Sequence, residues 1–266
     1  MVMIKKFFQA IFFPKRSQMI RKERTKIYVK VTPERSEIIC SGITFAEFIK
    51  HLPTPIENLL LIKCDYWGNQ QKHGFEVLEG QENVEKLIVE DISHGDFCFV
   101  DYTSPQAVNE LHKKQIAELL YLGHVFEPLD TPFFEALHNN FIYLSHDDGW
   151  YCKLYCKNIS DFATVLCNKI AAIIPTETGG LVSDSVKEKI LQLATNGILI
   201  DLDEILQDGM ITLYSIGEHS DIDGMLNNWQ QMKSSASKVS QLDFYKSILL
   251  ESQPNPKLSS QMRQLV

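Results

Sequence analysis

The densest group of side chains able to do chemistry is a short polar run, His146, Asp147 and Asp148, and His124 lies upstream of it. Imidazole and carboxylate groups together can ligate a metal ion or form a general base with its orienting acid. Gly149 follows the run, and Asp-Gly between two apolar segments is typical of a tight hairpin turn. Three adjacent residues in such a turn cannot all face one ion. A purely structural turn is therefore the competing interpretation.

Familiar catalytic signatures are absent from the sequence, which contains no GxxxxGK[ST], GxGxxG, HExxH or GxSxG pattern. The six cysteines form no CxxC pair and no zinc-type spacing, so they are predicted to be free, buried thiols in a reducing compartment. We predict no metal and no cofactor. The sequence leaves open whether the protein is an enzyme, and the missing signatures favour a non-enzymatic role.

The first residues are both amphipathic and basic. Apolar side chains recur at helical spacing from Ile4 to Phe12, and Pro14 ends the pattern. The residues expected to contact a membrane or another protein surface are Ile4, Lys5, Lys6, Phe7, Phe8, Ile11 and Phe12. Such a helix can lie on an anionic membrane or dock on protein, and both alternatives stay open at this point.

Charge is distributed unevenly along the chain. Residues 1–30 carry nine basic residues and one acidic residue, a net charge of +8, whereas the remainder carries 17 basic and 33 acidic residues, a net charge of −16. Because nucleic-acid binding depends on neutralising phosphates, an acidic body of this kind argues against a nucleic-acid partner. The longest apolar runs are also far shorter than the roughly 20 residues of a membrane span.

A hairpin is predicted around the polar run, with one strand over 141–145 and a second over 150–156. Alternation on the second strand places Tyr151, Lys153 and Tyr155 on one face. If the hairpin lies at a sheet edge, this outer face is a candidate partner-binding surface, because tyrosine is enriched at interface centres.

Helix and strand patterns are intermixed without regular βαβ alternation, which predicts an α+β fold with a mixed, largely antiparallel sheet and packed helices. The predicted helices include one that Thr44 and Glu47 open as a capping box, and one from Pro105 to Gly123. Residues 69–80 are interpreted as turn-rich. The predicted organisation is a basic segment 1–24, a main domain 25–175, a C-terminal subdomain 184–233, and a linker, short helix and tail over 234–266.

Part of the middle third of the chain resembles a group of uncharacterised bacterial cytosolic proteins. The resemblance is carried by 95–97, by Ile116-Ala117-Glu118-Leu119-Leu120-Tyr121-Leu122-Gly123-His124 and by Tyr143-Leu144-Ser145-His146-Asp147-Asp148-Gly149-Trp150. The resemblance implies a bacterial origin. It implies no activity, because that group has no established one.

Three functional hypotheses follow from these observations. The first is a non-enzymatic cytoplasmic interaction protein, regulatory or immunity-like, with a protein partner whose basic surface complements the acidic body. The second is a hydrolase, with or without a metal ion, that uses the His146, Asp147 and Asp148 run together with His124. The third is a peripheral membrane protein attached through residues 3–13.

Overall fold

The computed structural model describes residues 25–67, 70–89, 97–146, 151–172, 184–203, 210–217, 221–234 and 236–243. These residues form one ten-stranded sheet with helices on both faces. The strands are β1 Lys26–Thr32, β2 Glu37–Ser41, β3 Asn58–Trp67, β4 Gln70–Glu79, β5 Phe97–Asp101, β6 Phe141–His146, β7 Tyr151–Cys156, β8 Ile198–Asp201, β9 Met210–Ser215 and β10 Ser237–Asp243.

The α-helices of the described ranges connect these strands. They are α1 Phe45–His51, α2 Gln81–Val89, α3 Pro105–Asn109, α4 Lys113–Val125, α5 Ile159–Ala171, α6 Asp184–Ala194, α7 Ile222–Asn227 and α8 Trp229–Met232. The strand order is β10-β9-β8-β1-β2-β7-β6-β5-β3-β4. Every neighbouring pair in this order is antiparallel. The structure therefore confirms the predicted α+β fold with an antiparallel sheet.

Alternation along the strands divides the core between the two faces of the sheet. On β1, Ile27 and Val29 point into one cluster and Tyr28 into another. Helices α1, α2, α5 and α6 cover the first face, which we call face A. Helices α3 and α4 cover the opposite face B over β3, β5 and β6, and α7 and α8 cover it near β1, β8 and β9.

Several helices begin where the sequence predicts a cap. The capping box at α1 is present, because the Thr44 hydroxyl accepts a bond from the Glu47 amide and the Glu47 carboxylate accepts one from the Thr44 amide. Asp221 accepts a bond from the Gly224 amide at the start of α7. These local bonds satisfy amides that have no partner within the helix.

The helix predicted from Pro105 to Gly123 is instead two helices, α3 and α4. The Ser104 side chain forms no capping bond, and α4 continues past Gly123 to a left-handed residue at Phe126, whose φ is 60°. Gly123 lies inside α4 because it contacts β3 closely: a Cβ atom there would stand 2.6 Å from Cγ2 of Ile62. The glycine was therefore wrongly interpreted as a helix terminator.

Two further predictions are wrong at the edges of the sheet. Residues 69–80, interpreted as turn-rich, contain the ten-residue strand β4. Residues 234–240, interpreted as a linker, contribute to β10, which pairs with β9. The predicted C-terminal subdomain also shares the one sheet, since its strand β8 pairs directly with β1 of the main domain.

Candidate functional site

The residues predicted to act as catalysts are only partly within the described structure. The half-buried imidazole of His146 lies between two rings, with centroids 4.8 Å from Tyr151 and 4.4 Å from Phe126. His124 is exposed on α4. Asp147 and Asp148 lie outside the described residues. Within the part of the chain that the structure describes, no group of three His, Cys, Asp or Glu side chains is arranged to hold a metal ion. The hydrolase hypothesis built on this run stays a prediction.

The predicted partner-binding face on β7 does not lie at an edge, because β7 pairs with β2 on one side and β6 on the other. Tyr155 is only 2% exposed, and its hydroxyl donates to the Glu37 carboxylate at 3.2 Å. Lys153 forms an ion pair with Glu127 and donates to the Phe126 carbonyl. The condition for a binding role is therefore not met, and Tyr155 cannot contact a partner in the folded protein.

Burial, reinforced by the carboxylates of Glu37 and Glu127, raises the pKa of the Tyr155 hydroxyl far above its ordinary value. Its proton therefore stays in place as a hydrogen-bond donor. The residues of the predicted amphipathic segment, Ile4 to Phe12, lie outside the described part of the chain.

One cleft with both apolar and polar groups in its wall lies at the end of the sheet where β5 and β7 finish and β3 and β6 begin. It has a volume of about 350 Å³, and the turn after α1, Asn58, Asp101, Asn140 and Asp161 contribute to its wall. Convergent polar groups in a cleft of this size are typical of a ligand or active site. The cleft is therefore the first place to look for chemistry.

Asp101 is the most deeply buried acid of this cleft, with 4% of its surface exposed. It accepts bonds from the Phe141 amide at 2.7 Å, from the Asn140 amide at 2.8 Å and from the Asn140 side chain at 3.1 Å. Burial raises the pKa of Asp101 to about 6 despite these bonds, which alone would lower it. Since protein donors occupy both carboxylate oxygens, Asp101 fixes the entry to β6.

Asp161 stands in the first turn of α5 and accepts a bond from the Asn158 side chain at 3.0 Å. Burial raises its pKa as well. Asp161 therefore belongs to the start of a helix, where an acidic side chain is stabilising. Both acids have structural roles that account for their positions, so the cleft alone does not assign a reaction.

A second buried polar group joins α1 to α5. The Lys169 ammonium lies 2.7 Å from the Glu47 carboxylate and also donates to the Gly42 carbonyl. Burial alone would raise the pKa of Glu47, but the Lys169 charge and the bonds from Lys169 and Thr44 hold it below its ordinary value. This network fixes the start of α1 on face A.

The most accessible feature is the edge strand β4. It pairs with β3 over all ten residues and ends the strand order, so its outer backbone groups have no strand partner among the described residues. Phe75 is 38% exposed and Val77 42% exposed. Both pair with β3 residues of face B, Ile62 and Leu60, and therefore project on that face. A long edge with exposed apolar side chains is a template for pairing with another chain.

The strand at the other edge of the sheet, β10, has a feature that hinders pairing with a further strand. Strand β10 has seven residues and a register irregularity between Lys238 and Ser240. A bulge on an edge strand opposes the addition of a further strand. In contrast, β4 keeps a regular register along its whole length. The two edges of this sheet are therefore not equivalent, and β4 is the one suited to binding.

Two exposed apolar residues also lie on α4. Tyr121 and Val125, one helical turn apart, are 39% and 41% exposed. We call Phe75 and Val77 together with the β4 backbone the edge surface. Gly74 and polar neighbours obscure this strand in the sequence, although Phe75 and Val77 alternate with Glu76 as a half-exposed strand requires.

Comparison with known proteins gives no further guidance: the chain matches no protein-family model, no curated protein and no solved structure. None of the helices within the described ranges combines the length and apolar character needed to cross a membrane. Any function therefore has to be argued from the geometry itself.

Proposed function

We propose that this chain is a non-enzymatic protein-interaction module that binds an extended segment of a partner protein along β4. The observation that carries the proposal is the regular ten-residue edge strand with Phe75 and Val77 about 40% exposed. In this mode the partner contributes an eleventh strand to the sheet.

The backbone of β4 would supply the affinity. Every second residue of an antiparallel partner strand exchanges bonds with outward amide and carbonyl groups of β4 that water otherwise solvates. A partner segment of about five or six residues, the common length of a strand, would fit within β4. No side-chain rearrangement of the sheet is needed, because the edge is already extended and in register.

The side chains of the edge surface would supply the selectivity. An added strand presents alternate residues to face B, where they would meet Phe75 and Val77. The chain outside residues 1–30 carries a net charge of −16. Its field favours a partner segment that combines apolar residues with lysine or arginine.

The test uses the full chain as bait for a displayed library of short peptides. Selected peptides should slow amide hydrogen exchange in residues 70–79 when they bind. A double variant, Phe75→Lys with Val77→Lys, should weaken their binding at least tenfold, since it removes the apolar contacts and repels a basic segment. Binding is measured by fluorescence anisotropy of labelled peptides.

Leu129→Lys is the matched control, because Leu129 is a 61% exposed apolar residue that lies outside β4 and α4. It adds one lysine to the surface, as each of the two substitutions on β4 does, and should leave binding within twofold. Peptides that bind equally well to the Phe75 and Val77 double variant, or that protect amides elsewhere and leave 70–79 unchanged, would rule the proposal out.

A further inference from the structure

A second accessible surface lies on face A, in the angle between α1 and α2. This groove has a volume of about 580 Å³, and its apolar lining is Ile49, Leu52, Pro55, Ile56 and Val84. Charged side chains of both signs border it: Lys50 and Glu47 on α1, with Glu47 paired to Lys169, and the exposed Glu85 on α2. The groove is separate from the edge surface, which lies on face B.

The chain enters β1 close to one end of this groove. Lys26 lies against Gly42, so closely that a Cβ atom at Gly42 would stand 2.2 Å from the Lys26 carbonyl oxygen. Two residues after Gly42, Thr44 caps α1. The 24 residues that precede Thr25 are therefore connected to the sheet beside the first turn of α1.

The tether between the amphipathic segment and β1 is long enough to reach the groove. Residues 13–24 separate Phe12 from Thr25, and an extended chain of 12 residues spans up to about 40 Å. Helix α1 has seven residues and is about 10 Å long. A helix of residues 4–12 can therefore lie anywhere along α1.

The chemistry of the segment complements that of the groove. Ile4, Phe8 and Ile11 belong to one apolar stripe, and Lys5 and Lys6 lie beside it. A helix seated on Leu52, Pro55 and Ile56 would bury this stripe. The overall charge distribution, +8 in residues 1–30 against −16 elsewhere, also attracts the segment to the rest of the chain.

We propose that residues 4–12 form a helix that docks in the groove between α1 and α2 of the same chain. The segment then covers an apolar surface of its own protein. It is not available to an anionic membrane while it is docked. This inference is independent of the proposed edge-strand function, because it concerns the opposite face of the sheet.

Cross-linking in the full chain tests the docking. In the variant Ala10→Cys with Glu85→Cys, the first cysteine leaves the apolar stripe intact and the second replaces an exposed residue at the groove. Under mild oxidation by copper phenanthroline, the linked peptides, identified by mass spectrometry, should form at least tenfold faster than in the control Ala10→Cys with Lys114→Cys. Lys114 is the control site because its side chain is 83% exposed on α4, on face B.

A second experiment places a charge in the apolar stripe of residues 4–12. Phe8→Asp in the Ala10→Cys, Glu85→Cys background should slow the link about tenfold, whereas Gln9→Asp, outside the stripe, should change it less than twofold. Equal rates for the Glu85 and Lys114 pairs would overturn the proposal. So would links between two chains, which would make a second copy the occupant. Flotation of the full chain with phosphatidylglycerol vesicles, together with equal rates, would assign the segment to a membrane surface instead.

Discussion

Asp101 illustrates how a single buried carboxyl group can resemble a catalytic residue while serving the fold. It combines a cleft position, deep burial and a pKa raised to about 6, which together are typical of functional acids. Its hydrogen bonds to Asn140 and Phe141 nevertheless account for both carboxylate oxygens. A stability measurement across pH tests whether the folded protein keeps a proton on Asp101 in the range where the unfolded chain has released it.

We predict that Asp101→Asn removes a pH dependence of stability. Between pH 4 and 6 the folded protein retains a proton on Asp101 that the unfolded chain has released, so wild-type stability falls as pH rises through this interval. The rise from 3.8 to about 6 is worth about 3 kcal/mol at about 1.4 kcal/mol per pKa unit. Urea unfolding should therefore show the wild-type advantage over Asp101→Asn shrinking from pH 4 to pH 7.

The control for this prediction is Asp130→Asn, which alters an exposed aspartate in the loop after α4. Its stability difference from the wild type should stay constant over the same pH range. Asp161, whose pKa is also raised, is present in all three proteins and cancels from the comparison. A constant difference for Asp101→Asn would show that Asp101 is ionised in the same range in the folded and unfolded states.

At the scale of single residues, the sequence predicts interactions between residues that lie close together in the chain. The capping pair Thr44 and Glu47 lies three positions apart, and its geometry follows from helix periodicity alone. Five of the six cysteines are free and buried, as predicted for small apolar side chains. The role of Asp101 could not be predicted, because its partners lie 39 and 40 positions away and depend on how β5 and β6 pair.

At the scale of elements, Gly123 lies inside α4 at a point where the helix packs closely against β3, and not at the end of the helix. The side chain of Ile62 on β3 occupies the space where Gly123 would carry a Cβ atom. Sequence periodicity correctly places Leu119 and Leu120 on the inner side of the helix, where they are buried and partly buried, but it does not include the completely buried Leu122. Periodicity does not identify β3 as the strand that packs against α4, so from the sequence alone Gly123 is interpreted as the end of the helix.

We predict that Gly123→Ala destabilises the protein by up to about 2 kcal/mol. Overpacking costs about 1 to 3 kcal/mol, and about 1 kcal/mol of gained helix propensity offsets only part of it. Ile62 cannot easily move aside, since it is β-branched and 2% exposed. Gly74→Ala is the matched control: no atom lies within 4 Å of its Cβ position, so it should be neutral or slightly stabilising. Equal effects of the two substitutions in urea unfolding would contradict the close approach.

At the scale of the whole molecule, one sheet contains strands from two segments that the sequence predicts to be separate domains. Residues 175–183 separate the predicted main domain from the predicted C-terminal subdomain, and their composition is typical of a boundary. The pairing of β8 with β1 runs across that boundary, and Ile198 and Ile200 belong to the same core cluster as Ile27 and Phe162. Such long-range antiparallel pairing cannot be seen in local patterns, because nothing near β1 or β8 specifies which strand each will meet.

We predict that the described domain unfolds in one cooperative transition, and Trp229 provides a reporter at the predicted subdomain. Trp229 is fully buried, donates to Asp201 at 3.0 Å and contacts the Tyr214 ring edge-on at a centroid distance of 4.9 Å. In a Trp67→Phe, Trp150→Phe background its fluorescence is the only tryptophan signal. Because β8 is hydrogen-bonded into the central sheet, its urea midpoint should coincide with that of far-ultraviolet circular dichroism.

A destabilising change confined to β8 sharpens this test. Leu199 is completely buried, and Leu199→Ala should cost about 2 to 5 kcal/mol. In one cooperative unit that cost lowers the midpoint of both signals equally, since the sheet cannot lose β8 without losing the pairing of β1 and the core beneath it. In two independent units only the Trp229 signal would shift, and the dichroism would separate into two steps. The shared shift is expected because Ile198 and Ile200 of β8 belong to the same buried cluster as Ile27 of β1 and Phe162 of α5.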